Sequence, residues 1–444
     1  MADTKASRYN VFLDDDGGGL LAFNASTAAL VRVRPEKRAL LERLVGDPGS
    51  AEGEEERRYS SILREKRFVV EEGEDEVARL EAASRERAGG GATLQLTIAP
   101  TLACNFRCDY CYERPADDRM TAAVEQALLD FADRRHPGEG GIQVTWFGGE
   151  PTLCVETIER LQKGLRLVAV RHGSRLHPSG IVTNGWLLDP RMATRLRAAG
   201  VHSAQVTLDG PRDVHDARRR LADGRGTFDG ILANLVAVAG LLQVTVRVNV
   251  DGRNAESAAA VVDELRRRGL EDRVGVYFAP VESARGVCAD VRDRCLSAEE
   301  FSRFRVDLYR RLVGSGFRQV AYPSVSLPSA CSATLESSFV VAPSGALFKC
   351  WEEISDGRKG SVGTAFDEPP DEGQRARLGR WLAWDPFARA ECRECRVLPL
   401  CMGGCPNEAM REGGGTIACS PWKYDLEPML RLRGEAGPAG PEGR

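Results

Sequence analysis

No stretch of this sequence approaches the roughly 18–20 consecutive apolar residues needed to cross a bilayer. The opening MADTKASRYNVF also lacks the hydrophobic segment of a signal peptide. A membrane role is therefore not expected, and the cytoplasm is the default compartment. Nor is charge of one sign in excess: 61 basic and 65 acidic residues are interspersed and leave a net charge of −4. Without a basic field to draw polyanions, no nucleic-acid partner is expected. With 42% apolar and 28% charged residues, the chain is not of disordered composition. Its 444 residues suffice for two or three domains of about 100–200 residues each.

Cysteine, by contrast, is plentiful. Thirteen are present, and in a reducing compartment their short spacings point to thiolate ligands rather than disulfides.

Residues 8–33 read as a strand, a Gly-rich turn and a second strand, then an apolar helix with Asn24 or Ser26 as N-cap. A helix is predicted at Pro35–Val45, and YSSILREKRFVV reads as a helix end feeding another strand. Residues 1–85 thus form an expected small α+β module. The Gly-rich, charged ASRERAGGGA at 83–92 has linker character. From 94 to about 320, β-like runs (LQLTIA, IQVTWF, SGIVTN, SAQVTLDG, QVTVRVNV, VGVYFAPV) alternate with longer amphipathic stretches. Strand then helix, repeated five or six times, predicts an α/β fold: a parallel sheet with right-handed crossovers, closed as a full or partial β/α barrel with its chemistry on the loops after the strands. From 325 to about 425, short strands, turns and cysteines suggest a domain in which metal ligation replaces a large core. The Gly/Pro/Glu-rich 434–444 reads as a disordered tail.

Cys104, Cys108 and Cys111 form CNFRCDYC just after the first barrel strand. Three thiolates on one loop can hold three irons of a [4Fe–4S] cluster and leave the fourth open; three thiols with a distant fourth ligand would also suit zinc. The CxxxCxxC spacing, with Tyr110 before the last cysteine, resembles the radical S-adenosylmethionine superfamily. That resemblance implies that S-adenosylmethionine chelates the open iron and is cleaved to a 5′-deoxyadenosyl radical that abstracts hydrogen. It further implies cofactor contacts at Gly148, Gly149 and Glu150 of GGEP, at Asn184 of TNG, and at Thr207 and Asp209 of TLDG, with Arg247 a weaker candidate for the cofactor carboxylate.

Seven further cysteines are ordered as Cys331, Cys350, Cys392-x2-Cys395-x5-Cys401-x3-Cys405 and Cys419. Paired short spacings also fit a zinc ribbon. The whole pattern resembles the SPASM extension of that superfamily, and the two resemblances together cover about 94–425. The resemblance implies two auxiliary [4Fe–4S] clusters, one on Cys392, Cys395, Cys401 and Cys419, the other on Cys331, Cys350 and Cys405. The second set is one thiolate short: its fourth iron is open, or Cys288 or Cys295 supplies the ligand. Cys154, Cys288 and Cys295 otherwise read as packed thiols.

Proteins of this architecture mostly oxidise unactivated C–H bonds in peptides or proteins, with auxiliary clusters and an electron donor such as flavodoxin or ferredoxin moving the electrons. The N-terminal module resembles the winged-helix-like leader-recognition element of ribosomal-peptide maturases, where a leader adds as a strand at the sheet edge; as an alternative it is a structural cap on the barrel. The sequence therefore points to a maturase that acts on a ribosomally made precursor peptide and installs a crosslink or other oxidative modification. A sulfatase-type maturase, which forms formylglycine on a protein, is the alternative; there the resemblance places an aspartate after the cysteine, whereas this chain has Cys350-Trp351-Glu352-Glu353. A non-enzymatic iron-sulfur carrier is a third possibility and leaves GGEP and the strand-end polar residues unexplained.

Overall fold

The computed structural model describes residues 4–15, 17–88, 93–281, 289–317, 323, 331–410 and 418–436. The chain divides into two compact units, one of residues 89–319 with 332–384, the other of 1–88 with 320–331 and 385–444.

In the first unit, side chains alternate strictly along the strands Leu94–Ile98, Ile142–Trp146 and Ser179–Thr183, every second residue being buried. Three more strands follow, Val201–Thr207, Gln243–Val250 and Val274–Pro280, and all six pair parallel in chain order. Helices connect them. Val155–Arg171, for instance, buries Val155, Ile158, Leu161, Leu165 and Val168, a stripe at helical spacing. Strand, helix and parallel strand in succession give the right-handed crossover unit, and the result is a six-stranded partial barrel.

On the outer side of Leu94–Ile98, the strand Ser338–Val341 pairs parallel, and Ala346–Phe348 and Gly363–Thr364 continue antiparallel to complete a nine-stranded sheet. Ala99, Leu102, Val340, Ala342, Phe348 and Ile354 form one core cluster there. The segment after residue 325 is thus divided, since 332–384 extends the barrel sheet and 385 onward belongs to the second unit.

In that second unit, the strands Asn10–Asp14, Leu20–Asn24 and Ala29–Val33 form an antiparallel sheet, and Thr4–Ala6 pairs with Val69–Glu71. Tyr9, Val11, Leu13, Leu21 and Phe23 pack on Val397, Leu400, Leu426 and Leu430 of the cysteine-bearing C-terminal segment. Ala22 packs with Leu44, Leu63 and Phe68 from the helices Pro35–Gly46 and Gly53–Glu65 and the chain after them. The N-terminal module and the C-terminal cysteines therefore share one core.

Two local expectations are corrected. The apolar run after Asn24 is a strand and not a helix. Asn24 Oδ1 accepts from the Ser26 N–H at 3.0 Å and Ala28 takes a left-handed φ of 55°, which makes a tight turn between strands. The β-branched Val31 and Val33 then suit the pleat. The helix Glu76–Ala88 also runs through the first half of the expected linker, since AASRERA is composed mostly of strong helix formers. Residues 437–444, most of the expected tail, lie outside the described residues.

Candidate functional site

The three cysteines of the first motif follow Leu94–Ile98 on a loop pinned from both sides. Phe106–Cys108 pairs antiparallel with Arg219–Leu221, Arg219 standing opposite Cys108. The Phe106 N–H donates to Cys104 Sγ at 3.4 Å. Burial, helped by the Glu150 carboxylate, pushes the Cys104 thiol up to about 12, and burial likewise raises Cys108 and Cys111. Buried thiols that resist ionisation require a nearby cation before they can bind as thiolates, and an iron core supplies that charge. The three thiols interact electrostatically with one another, and three thiols on one short loop are the donor type that an iron–sulfur core takes. The residues fit the group.

The Gly148-Gly149 pair is held against the chain leading into this loop. Gly149 N–H donates to the Thr101 carbonyl at 3.2 Å and Glu150 N–H to that of Ala103 at 2.9 Å. A Cβ at Gly148, whose φ is 113°, would lie 2.3 Å from the Thr101 oxygen, and one at Gly149 2.4 Å from those of Leu102 and Ala103. The glycines therefore serve the approach of two backbones. Glu150 is fully buried. Its carboxylate accepts from the Thr152 N–H and hydroxyl, from the Thr183 hydroxyl at 2.7 Å and from the Asn184 N–H at 2.8 Å, and its pKa is raised by burial against those bonds. It ties GGEP to the next strand end.

A cavity of about 570 Å³ opens at the C-terminal ends of the strands. Of the residues singled out in sequence, Tyr110, Cys111, Gly149, Asn184, Thr207 and Arg247 line it. Cys104, Cys108, Gly148, Glu150 and Asp209 do not; they support the wall. Asn184 Nδ2 donates to Asn105 Oδ1 at 2.7 Å, and Arg247 Nε to Asn249 Oδ1 at 2.7 Å. Asp209, wholly buried, accepts from the Tyr110 hydroxyl and from the Asn249 N–H at 2.9 Å.

Among the lining residues that sequence reasoning passed over are Glu113, Gln205, Arg219 and Asn249. The signal for two of them was present. Gln205 with Thr207, and Arg247 with Asn249, stand two apart on their strands and so share the inward face. Arg219, in a run of three arginines, carries no such signal. Trp351, stacked on Phe147 at 5.5 Å, and Glu352 also line the cavity, directly after Cys350.

In the second unit, Cys392, Cys395, Cys401 and Cys419 line one small cavity with Lys423, whose Nζ stands 3.5 Å from Cys419 Sγ. Burial and the Cys401, Cys395 and Cys419 sulfurs together raise the Cys392 thiol. Gly404 permits this grouping: a Cβ there would lie 1.6 Å from the Ala418 carbonyl oxygen. These are the four cysteines that the sequence assigns together. Cys405 and Cys331 belong to this same unit and Cys350 to the barrel unit. Cys295 donates to the Val291 carbonyl at 3.3 Å, and Cys288 lies outside the described residues.

A parallel partial barrel with a three-cysteine loop after its first strand and a polar cavity over its strand ends defines a radical S-adenosylmethionine enzyme. Residues 98–276 match the model of the Radical SAM superfamily, so this part of the chain is a radical SAM domain, and that superfamily implies a [4Fe–4S] cluster and S-adenosylmethionine. The chain is 25% identical over 354 residues to the serine-type anaerobic sulfatase-maturating enzyme of Klebsiella aerogenes, covering 74% of this chain and 84% of the relative. Among solved structures, anSMEcpe with bound AdoMet and the Cp18Cys peptide superposes with a TM-score of 0.58 at 18% identity, over 78% of this chain and 99% of that one. Streptococcus suis SuiB bound to its precursor peptide SuiA superposes with a TM-score of 0.53 at 14% identity, over 94% and 98%. The fold is thus of the SPASM type. No described helix is long and apolar enough to cross a membrane.

Proposed function

We propose that this chain is a cytoplasmic maturase that abstracts hydrogen from a ribosomally made precursor peptide and installs a crosslink or another oxidative modification. Bound to Cys104, Cys108 and Cys111, the cluster with S-adenosylmethionine supplies the hydrogen-abstracting radical. Asn184, Thr207 and Arg247 orient the cofactor in the cavity, and Gly149 forms part of its wall. Tyr110 and Asp209 fix the cysteine loop against the strand ends. Cys392, Cys395, Cys401 and Cys419 hold one auxiliary cluster; Cys331, Cys350 and Cys405 contribute to another; and a flavodoxin- or ferredoxin-like donor supplies electrons.

The observation that carries the peptide reading is a groove in the N-terminal module. Ala29–Val33 is an edge strand with Val31 exposed, and beside it a groove of about 390 Å³ is lined by Val31, Val33, Leu41 and Ile62 with Arg32, Arg34 and Lys37. An open edge beside apolar and basic side chains suits an extended leader that adds as a strand and carries apolar and acidic residues. The N-terminal module is accordingly read as the leader-recognition element, the barrel as the reaction chamber and the cysteine-rich segment as the electron path.

Sulfatase-type maturation is the second reading. It is favoured by the relative from Klebsiella aerogenes and by the Glu352 carboxylate in the cavity wall, which stands where a base could act. Anaerobic reconstitution with iron and sulfide, followed by iron counting and a 5′-deoxyadenosine assay, tests the enzyme itself. About twelve irons are expected for three four-iron clusters, with deoxyadenosine formation abolished in the Cys104→Ala/Cys108→Ala/Cys111→Ala variant. Mass analysis of peptides encoded beside the gene, set against a sulfatase peptide, decides between the two substrates. Modification of the sulfatase peptide alone would refute the precursor-peptide reading.

A further inference from the structure

The two-stranded ribbon that pins the cysteine loop, Phe106–Cys108 with Arg219–Leu221, has two unlike faces. Alternate residues of a strand point to opposite sides. Phe106, Arg219 and Leu221 are buried on the inner side, where Arg219 lines the cavity. Arg107 and Arg220 are exposed on the outer side and stand directly opposite each other across the ribbon. Like charges in that register repel. The carboxylates nearest in the chain are engaged elsewhere: Asp109 by Arg294 at 2.7 Å, Asp223 by Arg225 at 2.8 Å, and Asp216 by the N–H groups of Thr227 and Phe228. The two guanidinium groups donate to backbone carbonyls instead, Arg107 Nη1 to those of Cys104 and Phe106 at 2.8 and 2.7 Å, and Arg220 Nε to that of Asp216 at 3.0 Å. Both therefore present uncompensated positive charge at the surface. A local rule broken in this way marks a functional site.

The strand beneath the pair touches two of the three cysteines of the loop, since it contains Cys108 and its Phe106 N–H donates to Cys104 Sγ. The cavity on the inner side is needed for cofactor and substrate, so an electron from another protein has its entry on the outer side. We propose that Arg107 and Arg220 form the docking site of the electron donor, a small acidic protein whose carboxylates meet the two guanidinium groups. One electron leaves the reduced donor, which is oxidised by one electron, and reduces the site of Cys104, Cys108 and Cys111 by one; no bond forms or breaks. Complementary charge of this kind raises the association rate and fixes the orientation of the encounter. The assignment rests on the reading that a flavodoxin- or ferredoxin-like protein is the donor, and not on the identity of the modified peptide.

The probes are a bacterial flavodoxin and a bacterial ferredoxin, both acidic, set against the reconstituted full-length chain, Arg220→Glu and Arg107→Glu. Equilibrium binding and deoxyadenosine formation are followed against probe concentration at low and high salt, with dithionite as the protein-free reductant. Arg220→Glu is expected to raise the dissociation constant of the effective probe about five- to tenfold, the scale of one surface charge contact turned into a repulsion, and to flatten its salt dependence. Its iron content and its rate with dithionite should match the wild type, and Arg220→Lys, which keeps the charge, should bind as the wild type does. Arg107→Glu should weaken binding in the same direction. Unchanged binding and probe-driven rates in both charge reversals overturn the docking site and leave the donor reading intact. If neither probe drives a wild type that dithionite drives, the donor reading falls and the proposal with it. Weaker binding of the precursor peptide, with probe binding unchanged, assigns the pair to the substrate and overturns the proposal. Loss of iron or of dithionite-driven rate in Arg220→Glu makes the arginine a support of the cysteine loop and overturns it as well.

Discussion

The Tyr110 hydroxyl donates to a carboxylate oxygen of Asp209 at 2.5 Å, a contact between the loop of the three cysteines and the end of the strand Val201–Thr207. The same hydroxyl receives Arg219 Nη1 at 2.6 Å and Asn249 Nδ2 at 3.0 Å. The Arg218 guanidinium lies over the Tyr110 ring at 4.9 Å and pairs with Asp251 at 2.8 Å; Arg294 in turn links Asp251 to Asp109. Three arginines and three aspartates thus balance in a largely buried network around the aromatic residue that precedes Cys111. The network sets where the loop stands over the barrel.

Asp209→Asn should therefore destabilise the protein by about 3 kcal/mol, the usual cost of removing one partner from a buried charged set, and should reduce deoxyadenosine formation sharply. Tyr110→Phe keeps the ring over which Arg218 lies and should cost only about 1–2 kcal/mol. Urea unfolding of the two variants checks the order. A Tyr110→Phe variant as damaged as Asp209→Asn would place the weight on the hydroxyl and not on the charge balance.

Gly149→Ala places a methyl group 2.4 Å from two backbone oxygens that flank the entry to the cysteine loop. Backbone cannot step aside as a side chain can, so the loop must shift. The expected outcome is selective loss of about four irons, those of the first site, with the remaining iron retained. Uniform loss of all iron would instead indicate global unfolding.

The parallel strands and their crossover helices were legible in the sequence because Leu94–Ile98, Ile142–Trp146 and Ser179–Thr183 alternate strictly and a helix such as Val155–Arg171 carries a continuous apolar stripe. The set Cys392, Cys395, Cys401 and Cys419 is what the resemblance to the SPASM pattern implies, since short spacing by itself pairs Cys392 and Cys395 with Cys401 and Cys405. What the sequence hid follows from chain distance. Tyr9 packs with Leu426 and Leu430, and nothing local reveals that the two ends of the chain share a core. Asn24 looked like a helix cap because the same side chain caps turns, and only the left-handed Ala28 decides between the two. Glu150 was visible in the sequence through its place in GGEP, whereas its bonds to Thr183 and Asn184 are contacts across more than thirty residues.

His215 is fully buried, with Nδ1 accepting from the Asp209 N–H at 3.2 Å and Nε2 beside the Thr227 hydroxyl at 3.0 Å. Burial, reinforced by Arg219, depresses its pKa to about 3. The unfolded chain takes up a proton below about 6.5 that the folded chain refuses until about 3. Stability therefore falls as pH drops through that window, and it is fully present above it. The His215→Gln variant should lose this part of the acid sensitivity, read as a flatter dependence of the unfolding midpoint on pH between those limits. An unchanged slope would show that other groups govern acid unfolding.

Lys423 Nζ stands 3.5 Å from Cys419 Sγ in the cavity of four cysteines, and its pKa is raised by that sulfur. A cation beside a cluster ligand offsets the negative charge added on reduction and so raises the reduction potential. Lys423→Gln should keep its iron, because all four thiols remain, while the midpoint potential of that auxiliary site becomes more negative in a redox titration followed by electron paramagnetic resonance. Deoxyadenosine formation with excess dithionite should be unaffected, since the cysteine loop of the barrel is untouched. Coupled product formation should slow, because an electron leaving the substrate then meets a poorer acceptor. If the site held zinc instead, no signal from it would titrate in the wild type or the variant, and the electron path drawn through these cysteines would have to be abandoned.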